Sequence, residues 1–61
     1  MIDRYITMKT EEQAKRYAKE LNSMPGVWGA CTDGQKVIVS YTNANAEEAG
    51  DRKFYEIYDE D

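Results

Sequence analysis

The chain has 61 residues, 12 acidic and 8 basic, giving a formal net charge of −4, with one cysteine and no histidine. So short a chain folds as one domain (residues 1–61) and buries only about 60% of its unfolded surface, which leaves little room for a deep catalytic cleft. Acid–base catalysis would need carboxylates, lysine or tyrosine with shifted pKa values, and no pattern pairs such groups. One thiol is too few for a zinc site. We therefore predict no enzyme activity, no cofactor and no metal site.

The first 25 residues predict a strand followed by a helix. Apolar side chains alternate along Ile2 to Met8, as they do in a strand with one buried face. Residues 10–13 read TEEQ, a capping-box pattern that marks the start of a helix. The buried face of that helix is predicted from apolar residues at the i, i+3, i+4, i+7 spacing: Ala14, Tyr17, Ala18 and Leu21. Pro25 and Gly26 follow its end.

Residues 24–42 predict a β-hairpin. Two apolar runs, VWGAC and VIVSY, flank Asp33-Gly34. Asp-Gly readily takes the positive φ angles of a type I′ turn, and the β-branched second run suits a pleated surface. A bulge near Gly29 would reverse the facing of residues in the first of the two strands.

The last twenty residues predict a connection and a final strand. In residues 42–52, Asn45 can cap a single helical turn from Ala46 to Ala49, which Gly50 would end. Lys53 to Tyr58, KFYEIY, alternates and is rich in aromatic residues, as strands are. The predicted fold is therefore α+β in two layers, β-α-β-β-(short turn)-β. It has an antiparallel four-stranded sheet, with the first and third strands central and one long helix on one face, a ferredoxin-like variant.

The run LNSMPGVWGACTDGQKVIVSYTNANAEEA resembles the middle of heavy-metal-associated, copper-chaperone-like domains. Those domains have a helix end, Pro-Gly-Val, a hairpin, and a Tyr followed by a loop into a second helix. The likeness covers about half of the chain. The metal site of the family is a cysteine pair before the first helix, where this chain has Met8-Lys9-Thr10-Glu11. The resemblance thus implies the ferredoxin-like topology without the metal-binding pair.

Alternation predicts which side chains face the helix and which face away. The helix-facing set is Val37, Val39, Tyr41 and Phe54, with Ile2, Ile6 and Met8. The opposite face, which the helix leaves uncovered, holds the predicted partner-binding residues Tyr5, Trp28, Ile38, Tyr55 and Ile57. They form either a small core of their own or a contact surface, since exposed apolar patches and Trp or Tyr anchors mark interaction sites. Cys31, inside a strand, is predicted to be a small buried hydrophobe.

Charge separates the candidate functions. Residues 25–61 hold eight acidic and three basic side chains, a sum of −5. The predicted acidic surface consists of Glu47, Glu48, Asp51, Glu56, Asp59, Glu60 and Asp61. Negative charge disfavours direct nucleic-acid binding.

We expect a small, acidic protein-binding module, an inhibitor or adaptor of the kind that phages encode against host enzymes or defence systems. A homodimer through the same face is an open alternative. The first alternative function is a nucleic-acid mimic that inhibits a basic DNA- or RNA-binding protein. The second is single-stranded nucleic-acid binding through sheet aromatics. No apolar run is long enough to span a membrane and no signal peptide is visible, so we expect a cytoplasmic protein.

Overall fold

A computed structural model describes residues 1–60. Within that range the elements are β1 (Ile2–Thr7), α1 (Glu11–Asn22), β2 (Val27–Asp33), β3 (Lys36–Tyr41) and α2 (Ala44–Tyr58). The strands are antiparallel in the order β1-β3-β2. Both helices cover the face that carries the buried β3 side chains Val37, Val39 and Tyr41. The α+β class is confirmed, and the prediction of four strands with one long helix is wrong.

The start and the buried face of α1 are as predicted. Thr10 Oγ1 accepts a hydrogen bond from the Gln13 N–H at 3.0 Å, which caps the helix. The Gln13 side chain makes two further hydrogen bonds: its Oε1 accepts from Lys9 N–H and its Nε2 donates to Ile57 O, both at 3.1 Å. This buried amide therefore joins the start of α1 to the end of α2. The predicted apolar face is fully or almost fully buried at all four positions.

The hairpin is confirmed, but its turn lies one residue later than predicted. Asp33 remains in the ladder opposite Lys36, so the connecting residues are Gly34 and Gln35. Gly34 has φ +63°, a backbone conformation that glycine adopts without steric cost. Positive φ at only the first connecting residue is the pattern of a type II′ turn. The register also shifts between Val27 and Gly29, so the β-bulge near Gly29 that the sequence left open is present.

Helix α2 replaces the predicted single turn and final strand. It begins after Asn43, whose side chain accepts a hydrogen bond from the Ala46 N–H at 2.8 Å, so Asn45 is not the cap. The apolar positions of its buried side have helical spacing over about three turns: Ala46, Gly50, Phe54 and Ile57. Burial of this face outweighs the strand-like alternation of KFYEIY. Because no fourth strand forms within residues 1–60, β1 is an edge strand and only β3 is central.

Gly50 lies inside α2 and does not end a helix. It is buried, and α2 crosses the sheet so closely there that an added Cβ would lie 2.7 Å from Tyr41 Cζ and nearer still to its Oη. Because glycine has no Cβ, the Tyr41 ring can lie directly against the backbone of α2 at Gly50. The helix and the sheet are therefore close together at this position.

Gly50→Ala is expected to destabilise the protein by about 1–3 kcal/mol, the usual effect of overpacking a core. Helix propensity alone would make this substitution stabilising by about 1 kcal/mol, because alanine is favoured over glycine in a helix. A loss of stability would therefore report the close contact with Tyr41. Gly29→Ala is the matched control, since a Cβ there meets nothing within 4 Å. Urea unfolding followed by circular dichroism measures both. A Gly50→Ala variant as stable as the parent would contradict the close approach of α2 to Tyr41.

Candidate functional site

One face of the sheet carries no helix, and we call it the open sheet face. Its middle row runs across three strands, because Tyr5 and Cys31 are the partners of Ile38 on either side. Tyr5 is 73% exposed and Ile38 is half-buried. Cys31 is exposed, which corrects the prediction of a buried thiol. The cause is the β2–β3 register, which turns Cys31 to the same side as Ile38.

Trp28 lies in the bulge of β2 and is 72% exposed. Val27 is paired with Tyr41 and packs against the core, while Gly29 is paired with Ser40, so Trp28 is the extra residue between them. Strand β2 forms one edge of the sheet and β1 the other, so the structure does not bring Trp28 next to Tyr5.

The other two predicted contact residues belong to α2 instead of the sheet. Tyr55 is 63% exposed. Ile57 is only 4% exposed and is part of the core, so its placement on the uncovered face is wrong. In a helix, residues 54 and 57 lie on the same face and residue 55 points away from it. In a strand, residues 55 and 57 lie on the same face, and this is why Ile57 was grouped with Tyr55.

A cleft of about 280 Å³ separates β1 from α2, and we call it the β1–α2 cleft. Residues 4–7 of β1 form one wall, and Asp51, Phe54 and Tyr55 of α2 form the other. The centroid of the Phe54 ring lies 5.3 Å from that of Tyr55 and 5.9 Å from that of the buried Tyr17. The aromatic side chains of this wall therefore pack against the core. Two of the predicted contact residues, Tyr5 and Tyr55, therefore line the same cleft. The sequence analysis placed them on one sheet face and did not predict a cleft between a strand and a helix.

Arg4 joins the two walls of the cleft. Its Nη1 lies 3.1 Å from Glu47 Oε2 and 3.4 Å from Asp51 Oδ1. The hydrogen bond to Glu47, followed by the charge of Asp51, raises the pKa of the Arg4 guanidinium. Arg4 interrupts the apolar alternation of Ile2 to Met8, and the sequence analysis predicted no role for it. The available signal was a basic residue on the helix-facing side of a strand, which requires an acidic partner.

Most of the predicted acidic surface is paired with basic side chains. Glu47 and Asp51 contact Arg4, Glu48 lies 3.3 Å from Arg52, Glu56 lies 3.1 Å from Lys53, and Glu60 pairs with Arg16. The hydrogen bond with Glu56 also raises the pKa of Lys53. The backbone N–H of Asp59 caps the end of α2 by donating to Tyr55 O at 3.0 Å. Asp61 lies outside the described residues.

The part of the chain that the structure describes contains no group of three or more Cys, Asp or Glu residues placed to hold a metal ion. Over the same sixty residues, no helix is long and apolar enough to cross a membrane. Comparisons with protein-family models, with curated proteins and with solved structures give no match.

Proposed function

We propose that this chain is a non-enzymatic protein-binding module, an inhibitor or adaptor that contacts its partner through the open sheet face and the β1–α2 cleft. The observation that carries the proposal is the position of Tyr5 and Tyr55. They come from different elements, line the same cleft, and remain well over half exposed. Tyrosine is among the residue types that most often act as interface anchors.

These two rings can supply a large part of the binding energy. Burying what remains exposed of a tyrosine at roughly 25 cal/mol per Å² contributes about 3 kcal/mol before the costs of association. The edge-to-face contact of Phe54 with Tyr55 already limits the freedom of the Tyr55 ring before a partner covers it. The half-buried Ile38 continues the apolar surface from Tyr5 into the middle of the sheet.

The charge arrangement ranks the alternative functions below this one. A nucleic-acid mimic needs carboxylates that are available to a basic groove, yet five of the acidic residues on α2 and after it already face Arg4, Arg16, Arg52 or Lys53. Binding of single strands needs basic side chains beside the sheet aromatics. On the open sheet face, the charged residues of the described strands are Asp3, Asp33 and Lys36, a sum of −1.

Affinity capture from the native host, followed by mass spectrometry, tests the proposal. We expect the immobilised parent to retain a defined protein, and the variants Tyr5→Glu, Ile38→Glu and Tyr55→Glu to lose it. Lys15→Glu, on the exposed side of α1, is the matched control and should retain it. Circular dichroism verifies that each variant is folded.

Three results would contradict the proposal. Retention of the same protein by all variants would place the contact elsewhere on the molecule. Recovery of RNA or DNA instead of protein would favour binding through sheet aromatics. Release of the captured protein by added nucleic acid, together with insensitivity to the tyrosine variants, would favour mimicry.

A further inference from the structure

We propose that the outer edge of β1 binds an extended, basic segment of the partner protein, which pairs with it as an additional strand beside the β1–α2 cleft. This inference rests on the proposed function and specifies how the partner is held. Peptides that add a strand to a sheet gain affinity from backbone hydrogen bonds and specificity from alternate side chains.

The two edges of the sheet differ, and the β2 edge is closed to such pairing. The Asn22 side chain occupies the outward backbone groups of Ala30: its Nδ2 donates to Ala30 O and its Oδ1 accepts from Ala30 N–H, both at 2.9 Å. The bulge between Val27 and Gly29 also breaks the regular ladder on this strand. Bulges and covering groups are the usual means by which proteins protect an edge.

Strand β1 has neither form of protection. Its register with β3 is unbroken over all six residues, from Ile2 opposite Tyr41 to Thr7 opposite Lys36. Alternate residues of an edge strand direct their N–H and C=O groups away from the sheet. Among residues 1–60, no side chain or other strand hydrogen-bonds those outward groups of β1. Helix α2 instead reaches β1 through the Arg4 side chain, which leaves the cleft beside the strand.

The surroundings of this edge fix the charge of the occupant. Arg4 can balance only one of its two carboxylate partners, Glu47 and Asp51, so these three side chains together with Asp3 leave a sum of −2. At the other end of the strand, Lys36 is balanced by Asp33 opposite it on β2. A segment with Lys or Arg side chains complements this edge, and such cations also bind well over Tyr5 and Tyr55.

The same charges decide against a second copy of the chain as the occupant. Each copy carries a net charge of −4, and pairing β1 with β1 would bring two such acidic edges together. Like charges facing each other across an interface cost affinity. A basic segment meets no such repulsion.

Selection from a library of random twelve-residue peptides on the immobilised full chain tests the inference. We expect the selected peptides to combine Lys or Arg with β-branched residues at alternate positions. Amide hydrogen exchange of the chain with a selected peptide should show new protection at alternate residues of Ile2–Thr7. N-methylation of the amides on one edge of the peptide should abolish binding, because it removes the backbone donors.

Matched variants test the charge. Asp51→Asn should weaken binding of the selected peptide about two- to fivefold, whereas Glu48→Gln, on the same helix and paired with Arg52, should leave it unchanged. Equal effects of the two variants would overturn the charge argument. Acidic or helical selected peptides, or protection at β2 alone, would overturn the proposed edge.

Two further outcomes separate this inference from the proposed function. Protection of the β1 amides in the concentrated chain alone, with a doubled mass in sedimentation, would assign the edge to a second copy and overturn the inference. A captured partner that is lost in Ile38→Glu but leaves the β1 amides unprotected would support the proposed function and refute strand pairing.

Discussion

Leu21→Ala is expected to lower the free energy of unfolding by about 2–5 kcal/mol, the range measured for leucine truncation at buried sites. Leu21 is 0% exposed and lies in the core shared by both helices and β3. A domain of this size has a total stability of roughly 3–9 kcal/mol. The variant should therefore retain only a fraction of the parent's stability and be partly unfolded at room temperature.

Urea titration and thermal melting measure this loss, and each kcal/mol should lower the melting temperature by about 4–8 °C. Lys15→Ala on the exposed side of the same helix is the control, and its effect should stay within about 0.5 kcal/mol. If Leu21→Ala and Lys15→Ala melt at the same temperature, the buried face of α1 is wrongly assigned.

The parts of the fold that the sequence predicts correctly are those whose signals are local. The Thr10 cap and the spacing of Ala14, Tyr17, Ala18 and Leu21 define α1 without reference to the rest of the chain. The alternation in β3 is equally local, and Val37, Val39 and Tyr41 are all fully buried as predicted. In both cases the pattern has one period and no competing interpretation.

Residues 44–58 show where local signals conflict. KFYEIY alternates like a strand, and Gly50 is a residue type that commonly follows a helix end. Both signals are overridden by packing: Gly50 lets α2 approach Tyr41, and that approach carries Phe54 and Ile57 onto the core. Glycine occurs both where a neighbouring ring leaves no room for a Cβ and where a helix ends, and the residue type is the same in both cases. The sequence alone does not separate the two cases.

The error in α2 explains the errors at the candidate site. With a fourth strand, Tyr55 and Ile57 would share a sheet face; in a helix, Tyr55 reaches solvent and Ile57 the core. The same change turns β1 from a central strand into an edge strand. Exposure of Tyr5 survives the error because it depends only on the alternation of β1 against β3. The β1–α2 cleft depends on tertiary contacts between distant segments and had no local signal.

The second large effect is expected in alkaline solution, where stability should fall above about pH 10. Tyr17 and Tyr41 are both 0% exposed. Burial raises the pKa of the Tyr17 phenol, to which neighbouring Tyr41 adds, and burial likewise raises the pKa of Tyr41. In the unfolded chain a tyrosine ionises near pH 10.

The numbers of protons bound by the folded and unfolded states determine how the free energy of unfolding changes with pH. Each folded-state pKa lies above the unfolded value, so the contribution is fully present below about pH 10. Above that pH the unfolded chain releases protons that the folded state keeps, and unfolding becomes easier. For one fully protected tyrosine the slope is about 1.4 kcal/mol per pH unit. Lys53, whose pKa is also raised, acts in the same direction through its exposed pair with Glu56.

Two phenylalanine variants and one control isolate the buried phenols. Tyr17→Phe loses the 2.9 Å hydrogen bond to Gly50 O, so it should be about 1 kcal/mol less stable at neutral pH yet lose stability more slowly as the pH rises. Tyr41→Phe should lose less than Tyr17→Phe at neutral pH, because its buried Oη neighbours the Tyr17 phenol but makes no hydrogen bond of normal geometry among residues 1–60, and it should also show a shallower slope. Tyr5→Phe, at an exposed position, should follow the parent throughout.

Urea titrations from neutral pH to above pH 10, with the ultraviolet absorbance of tyrosinate, measure all four proteins. Parallel profiles for the parent and Tyr17→Phe would mean that the phenol ionises without unfolding and that the core around Gly50 admits water.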